Sequence, residues 1–202
     1  VDRNGDLWFL SSFNPTIAGY IDNSWEILRL ENEFEEIEEL AFDMNNTPVI
    51  ADRKRIAKIT ESGLEFIQLN PLPELYERKV FDLEYSTDNS LWVCSHIFVF
   101  SDQTNPIASE IIRISENDTT IWRSFAEENE TLSIGVNVLN FTTFFTSFDI
   151  DNQGRIWAFG YPAVELIDGT FNNSPSLAYF ENSNWEPLTI DYPEINSITS
   201  FG

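Results

Sequence analysis

Cysteine and histidine are all but missing from this chain of 202 residues, which has one of each, Cys94 and His96. A single cysteine excludes an intrachain disulfide and any zinc site built on cysteine pairs. Lysine is scarce as well: Lys54, Lys58 and Lys79 are the only three, and Lys plus Arg total 11 against 34 Asp plus Glu. The formal charge of −23 would repel nucleic acid and anionic membranes, so neither is expected as a partner. No run of about 18 apolar residues is present, so no membrane-spanning helix is expected. The opening VDRNGDLWFL has neither the basic start nor the cleavage pattern of a signal peptide, and no initiator Met, so a mature form or a piece of a longer protein is expected. The sequence also has no Gly-rich phosphate loop, HExxH helix, GxSxG elbow or paired-cysteine motif. No catalytic residue and no metal ligand set is therefore assigned.

What the chain does have is apolar material, 42% hydrophobic and 14% aromatic, enough for the core of one domain over residues 1–202. It is also repetitive. DRNGDLWFL at 2–10, DLEYSTDNSLWVC at 82–94 and DIDNQGRIWAF at 149–159 are copies of one pattern, and DMNNTPVIA at 43–51 is a decayed fourth, with Val49 at the tryptophan position. Aligned on Trp8, Val49, Trp92 and Trp157, the copies are spaced by 41, 43 and 65 residues. An alternating strand precedes each later anchor, at 37–42, 80–85 and 144–150; a second follows each anchor, at 17–21, 55–59, 110–114 and 176–180. A third carries Trp25, Phe66, Trp122 or Trp185. Units of four short strands at this period predict an all-β chain, a β-propeller of about four four-stranded blades. Approximate blades span 1–30, 31–70, 78–126 and 144–190, and 195–202 (INSITSFG) supplies a strand of a closing or further blade. Either that strand closes the ring beside the first blade or the chain is cut from a longer propeller.

Asn, Asp and Gly at the turn tolerate positive φ, and the tryptophan that follows is expected on the second strand of its sheet, buried between blades. Asp2, Asn4 and Asp6, and Asp149, Asp151 and Asn152, also space oxygen ligands like the opening of a calcium loop, but no glutamate follows at the twelfth position. An Asx-stabilised hairpin explains the same residues, so no cofactor is expected, with calcium as the minor alternative. Segment 31–39, ENEFEEIEE, reads as a solvated acidic edge pinned by Phe34 and Ile37, the alternative being a cation or basic-partner site. Cys94 and His96 share a strand face with Trp92 and read as inner-face residues rather than a thiol and its base. Sequons at Asn45, Asn117, Asn129, Asn140 and Asn172 are close to the number that this composition produces by chance. The rhythm is broken at 96–109, 126–143 and 161–175, and these three loops are the candidate ligand-binding segments.

With DRNGDLWFL, STDNSLWVC and DNQGRIWAF aligned, and SPSLAYFENSNWEPL following the last, the chain resembles the two-component-regulator propeller repeat. In that family a D-x-x-G-x-x-W turn and strand is followed by a further strand and a d-G-x-W turn, which Asp22, Asn23, Ser24 and Trp25, and again 181–185, fit. The resemblance implies a non-enzymatic binding propeller with a protein, small-molecule or glycan ligand, extracellular or periplasmic, such as the sensing region of a bacterial signalling protein. The second copy departs from the pattern, with Val49 for Trp and Asn46-Thr47 for the Gly turn. The turn and tryptophan are also similar to virginiamycin B lyase-type propellers, seven-bladed enzymes that rely on a histidine and a metal. That likeness implies the alternative: a lyase or glycan-active hydrolase with its site at the channel mouth. Perturbed carboxylates beside an exposed His96 would favour the enzyme; a buried His96 and an uncharged channel would count against it.

Overall fold

One local device, repeated four times, sets the register of the chain. The turns that open at Asp2, Asp43, Ser86 and Asp151 each form two backbone bonds of 2.9–3.2 Å: the first N–H donates to the carbonyl four residues on, and the fourth N–H donates back to the first carbonyl. The fourth residue is left-handed in every case, Gly5 (φ 86), Asn46 (φ 65), Asn89 (φ 62) and Gly154 (φ 77), which is why only Gly and Asn occur there. Asn46 thus does in the decayed copy what glycine does in the first. The structure, a computed structural model, describes residues 1–11, 14–31, 33–125, 130–141, 143–151, 153–162 and 177–188.

From these turns grow four antiparallel sheets, the blades of a four-bladed propeller. Blade 1 holds β1 (Leu7–Ser11), β2 (Thr16–Ile21) and β3 (Ser24–Arg29); blade 2 holds β4 (Glu39–Phe42), β5 (Pro48–Ala51), β6 (Ile56–Thr60) and β7 (Gly63–Ile67). Blade 3 comprises β8 (Tyr76–Tyr85), β9 (Leu91–Val99), β10 (Asp102–Ile114) and β11 (Thr119–Phe125). After the single helical turn α1 (Glu130–Ser133), the two-residue β12 (Asn137–Val138) pairs with β11 in parallel. Blade 4 is β13 (Thr143–Ile150), β14 (Ile156–Pro162), β15 (Leu177–Glu181) and β16 (Asn184–Leu188). The β2–β3 and β15–β16 hairpins turn through consecutive left-handed pairs, Asp22-Asn23 and Asn182-Ser183, the geometry that suits two-residue hairpins. The expected strand at 195–202 lies outside the described residues.

The core fills the spaces between successive sheets. Ile17, Leu30, Phe34, Ile37, Ile50 and Ala57 join blades 1 and 2, and Val49, Ile56, Leu83, Leu91, Val93 and Ile112 join blades 2 and 3. Trp92, Ile111, Trp122, Phe145, Ile156 and Trp185 join blades 3 and 4. Trp92 and Trp157 sit on the second strands of their sheets, as expected. Trp8 sits on β1, the first described strand of blade 1, and of the three anchors Trp92 alone is buried, at 2% exposure; Trp8 and Trp157 are half-buried. The reason is coverage: blade 4 closes over Trp92, whereas among the described residues no further sheet closes over Trp157.

The segment 96–109 is not a loop. Its chain-reversing residues are 100–101, and the rest prolongs β9 and β10 into a long hairpin whose Ile97 and Ala108 are fully buried. Polar residues that flank it hold the hairpin in place. Glu110, buried inside the blade, accepts from Arg78 Nε (2.6 Å) and Ser95 (3.2 Å) and pairs with Arg123, which also donates to the Leu132 carbonyl. Pro106, which has no N–H for the ladder, sits between two register shifts. Among the described residues, no helix is long and apolar enough to cross a membrane.

Candidate functional site

The first residue of each turn is also a lock on the anchor strand. Asp2 accepts the N–H of Asn4 and of Asp6 on Oδ1 (both 2.9 Å) and the indole N–H of Trp8 on Oδ2 (3.1 Å). Asp151 repeats the arrangement with Gln153 (2.9 Å), Arg155 (3.0 Å) and the indole of Trp157 (2.9 Å). In blade 3 the Ser86 hydroxyl takes the Trp92 indole at 3.1 Å, and in blade 2, where the sixth residue on is Val49, the free oxygen of Asp43 faces Lys58 Nζ at 3.3 Å. The indole donation is the chief reason the Asp151 carboxyl is held well below the ordinary range. Burial opposes the charge of Asp2, but the donations from Trp8, Asp6 and Asn4 outweigh it. Asp2 and Asp151 are two of the six residues whose oxygens suggested a calcium loop, and protein N–H groups engage their carboxylates; Asn152 lies outside the described residues. Among the described residues no group of three or more His, Cys, Asp and Glu is arranged to hold a metal.

The turns also touch one another. Asn46 accepts from the Arg3 N–H (3.0 Å) and donates to Asp2 (2.7 Å), and Asn89 accepts from the Met44 N–H (2.9 Å), so the side chain at the left-handed position of one turn clasps the turn before it. Gly154 has no side chain to do this, although Thr87 of the preceding turn lies within 3.5 Å of where its Cβ would be.

Between these turns and the inner strands is a basin of about 760 Å³ at one mouth of the channel. All four blades line it, through Trp8, Glu39, Phe42, Glu84, Thr87 and Asp151 among others. Its chemistry is acidic. Burial, followed by the charges of Asp82 and Glu38, pushes Glu39 up to about 8, so it carries a proton at neutral pH. No hydrogen-bond or ion-pair partner engages its carboxyl among the described residues. Asp82, at the bulge of β8, accepts from the Phe148 N–H (2.6 Å) and the Leu83 N–H (2.8 Å) and so ties blade 3 to blade 4. Burial nevertheless raises it to about 6. Glu84 is raised by burial and then by Asp82 and Asp149, with Arg3 opposing. The channel mouth therefore carries perturbed carboxylates, one half of the arrangement that would favour an enzyme.

The other half is missing. His96 is 1% exposed, its Nε2–H donates to the Phe145 carbonyl at 2.6 Å, and burial lowers it to about 4, so it is a neutral, enclosed imidazole. Cys94 donates to the same carbonyl (2.9 Å), and burial pushes its thiol far up. The two are core residues that share an acceptor, not a nucleophile and its base.

Of the three candidate segments, 96–109 is the hairpin described above, and 161–175 lies outside the described residues beyond the end of β14. Segment 126–143 contains α1 and β12, and its Val136, Asn137 and Asn140 wall a groove of about 790 Å³ against Arg113, Asn184 and Glu186. Phe34 and Ile37 of the acidic run are buried as expected, both at 2%, while Glu38 pairs with Arg53 at 2.7 Å. The basin residues were absent from the expected site. A signal existed: Glu39 and Asp82 each lie ten residues before an anchor.

No protein-family model matches the sequence, and no curated protein matches it. Among solved structures, the chain is similar to virginiamycin B lyase from Staphylococcus aureus, in a catalytically inactive variant with one histidine replaced by alanine and with quinupristin: 16% identity, TM-score 0.58, covering 96% of this chain and 55% of the lyase. A selenomethionine-substituted form of that lyase gives 17% identity and TM-score 0.54, covering 95% of this chain and 54% of the other. The extracellular domain of a hybrid two-component system from B. thetaiotaomicron is also similar, at 14% identity and TM-score 0.41, covering 98% of this chain and 28% of that one. The chain spans just over half the length of the lyase structures it matches, and the likeness is one of fold.

Proposed function

We propose that the chain is a non-enzymatic binding propeller that recognises a positively charged ligand, a protonated amine or a basic peptide, in the basin at the turn-bearing mouth. The observation that carries this reading is Glu39: a carboxyl without a partner, in a concave site lined by all four blades, holding its proton to about pH 8 among other acids. A cation placed there takes the role of the missing partner. It ionises Glu39 on binding and relieves the repulsion from Asp82. A sensing role outside the cytoplasm belongs to the same proposal and rests on the repeat resemblance. The lyase or hydrolase alternative draws on the same proton-bearing Glu39 as a general acid. Against it stands the histidine: the similar lyase is inactive in a histidine-to-alanine variant, and the one histidine of this chain is sealed in the core.

The test is calorimetry with a tetralysine peptide at pH 7 in two buffers of different ionisation enthalpy. Saturable binding with release of about one proton is expected, weakened about tenfold by Glu39→Gln and unchanged by Glu65→Gln, which removes an exposed carboxylate on the outer strand of blade 2. Equal weakening by both substitutions would reduce the effect to net charge and overturn the site.

A further inference from the structure

Residues 136–140 form a pinned wall on the outer rim of the junction between blades 3 and 4. β12 pairs with β11 in parallel, the Leu139 N–H donates to the Arg123 carbonyl at 2.8 Å, and Asn137 Nδ2 donates to the Ile121 carbonyl at 3.3 Å. Across the groove of about 790 Å³ stands the β15–β16 hairpin, and Trp122, Phe180 and Trp185 line the space between. Trp185 is 6% exposed, and its enclosed indole N–H has no acceptor among the described residues. The indoles of Trp8, Trp92 and Trp157 are all paired with a first turn residue. A buried donor left unpaired is costly and uncommon in folded proteins. Beside it the side chains of Asn140 and Asn184, on opposite walls, are exposed and make no hydrogen bond among the described residues.

We infer that this groove binds an extended, uncharged stretch of peptide, one of whose carbonyls accepts from the Trp185 indole while its amides pair with Asn140 and Asn184. An asparagine side chain offers the donor and acceptor of a peptide unit, so two of them on facing walls match a strand laid between them. Val138, at 54% exposure, gives the peptide's side chains apolar ground together with Leu139 and Pro187. A pyranose fits less well, because the rings of Trp122 and Trp185, 7% and 6% exposed, present no open face for a sugar to stack on. Charge narrows the peptide further. The −23 of the chain repels an acidic one. The groove itself carries one residue of each sign, Arg113 and Glu186, and Asp88 already holds Arg113 at 2.6 Å. The groove is separate from the acidic basin, since no residue lines both.

Proton NMR of the 202-residue chain tests this, with N-acetylated, C-amidated pentapeptides that alternate serine with valine, leucine or tyrosine as probes. At least one of them is expected to bind saturably with a Kd below about 1 mM. The Trp185 indole proton should then move downfield and exchange more slowly with solvent, while those of Trp8 and Trp157 stay in place. Asn140→Ala and Asn184→Ala, at exposed positions, should each weaken binding roughly two- to tenfold and leave the binding of tetralysine unchanged. Trp185→Phe, which keeps a ring in the junction and removes the donor, should weaken it to a similar degree. Absence of binding by every peptide, binding that leaves the Trp185 proton unmoved, or binding indifferent to both asparagine substitutions would overturn the assignment. So would chitotetraose shifting the same proton at equal concentration, which would make the groove a sugar site.

Discussion

Replacing the same repeat position in two blades separates the contribution of the anchor from that of its cover. Trp92 and Trp157 occupy equivalent strands, follow equivalent turns and donate their indole N–H to the first turn residue, at 3.1 Å to Ser86 and 2.9 Å to Asp151. They differ in what lies over the ring. Trp92 stacks on Trp122 (5.7 Å, 11° between planes), meets the edges of Phe180 (5.2 Å) and Trp185 (6.1 Å), and is 2% exposed; Trp157 has Tyr179 at 5.2 Å and an open side. Trp92→Ala removes a fully enclosed aromatic and should cost about 3–5 kcal/mol. For a chain of this size that lowers the melting temperature by roughly 6–20 °C. Trp157→Ala should cost less, about 2–3 kcal/mol, since part of its ring surface stays in water on folding. The comparison is made by thermal unfolding of the two variants against the wild type. Equal losses, or a larger loss at Trp157, would refute the view that coverage by the next blade sets the value of the anchor.

Gly154→Asn should stabilise the chain by about 0.5–1 kcal/mol in chemical denaturation. Its φ of 77° suits Asn, and the new side chain would clasp the Thr87 turn as Asn46 and Asn89 clasp theirs; a destabilised variant would show that the clasp is incidental. Glu39→Gln should alter the pH dependence of stability. In the unfolded chain Glu39 loses its proton near the ordinary carboxylate pKa of about 4.3. In the folded chain it keeps the proton to about 8. Wild-type stability therefore falls as pH rises between those values. The melting temperature of the variant relative to wild type should rise from pH 5 to pH 8, and a constant difference would contradict the half-buried, proton-bearing carboxyl.

The blades were legible in the sequence because their signals are local. A turn that needs a left-handed residue accepts Gly or Asn, and the anchor must lie at a fixed distance beyond it, so Val49 and Asn46 could be aligned even where both signature residues had changed. Length was harder to read. At 96–109 the break in the repeat rhythm read as a loop, whereas it marks a hairpin longer than those of the other blades, and Glu110, one residue on, is buried between Arg78 and Arg123. Burial of the anchors also escaped the pattern, since Trp8 and Trp157 obey the motif as fully as Trp92 does and only the neighbouring sheet decides their exposure. The basin carboxylates escaped the sequence pattern for a related reason. Glu39 lies more than forty residues before Asp82 and Glu84, which share β8, and only the packing of β4 on β8 makes them a group.

The account rests most heavily on the lock between the first turn residue and the anchor indole, and proton NMR of the indole N–H groups tests it directly. The resonances of Trp8, Trp92 and Trp157 should exchange with solvent more slowly than that of Trp25, which is 57% exposed. Asp2→Ala should move and speed the exchange of the Trp8 signal alone, and Asp151→Ala that of Trp157 alone. Indole protons of Trp8 and Trp157 that exchange as fast as that of Trp25, and that do not respond to these substitutions, would contradict it.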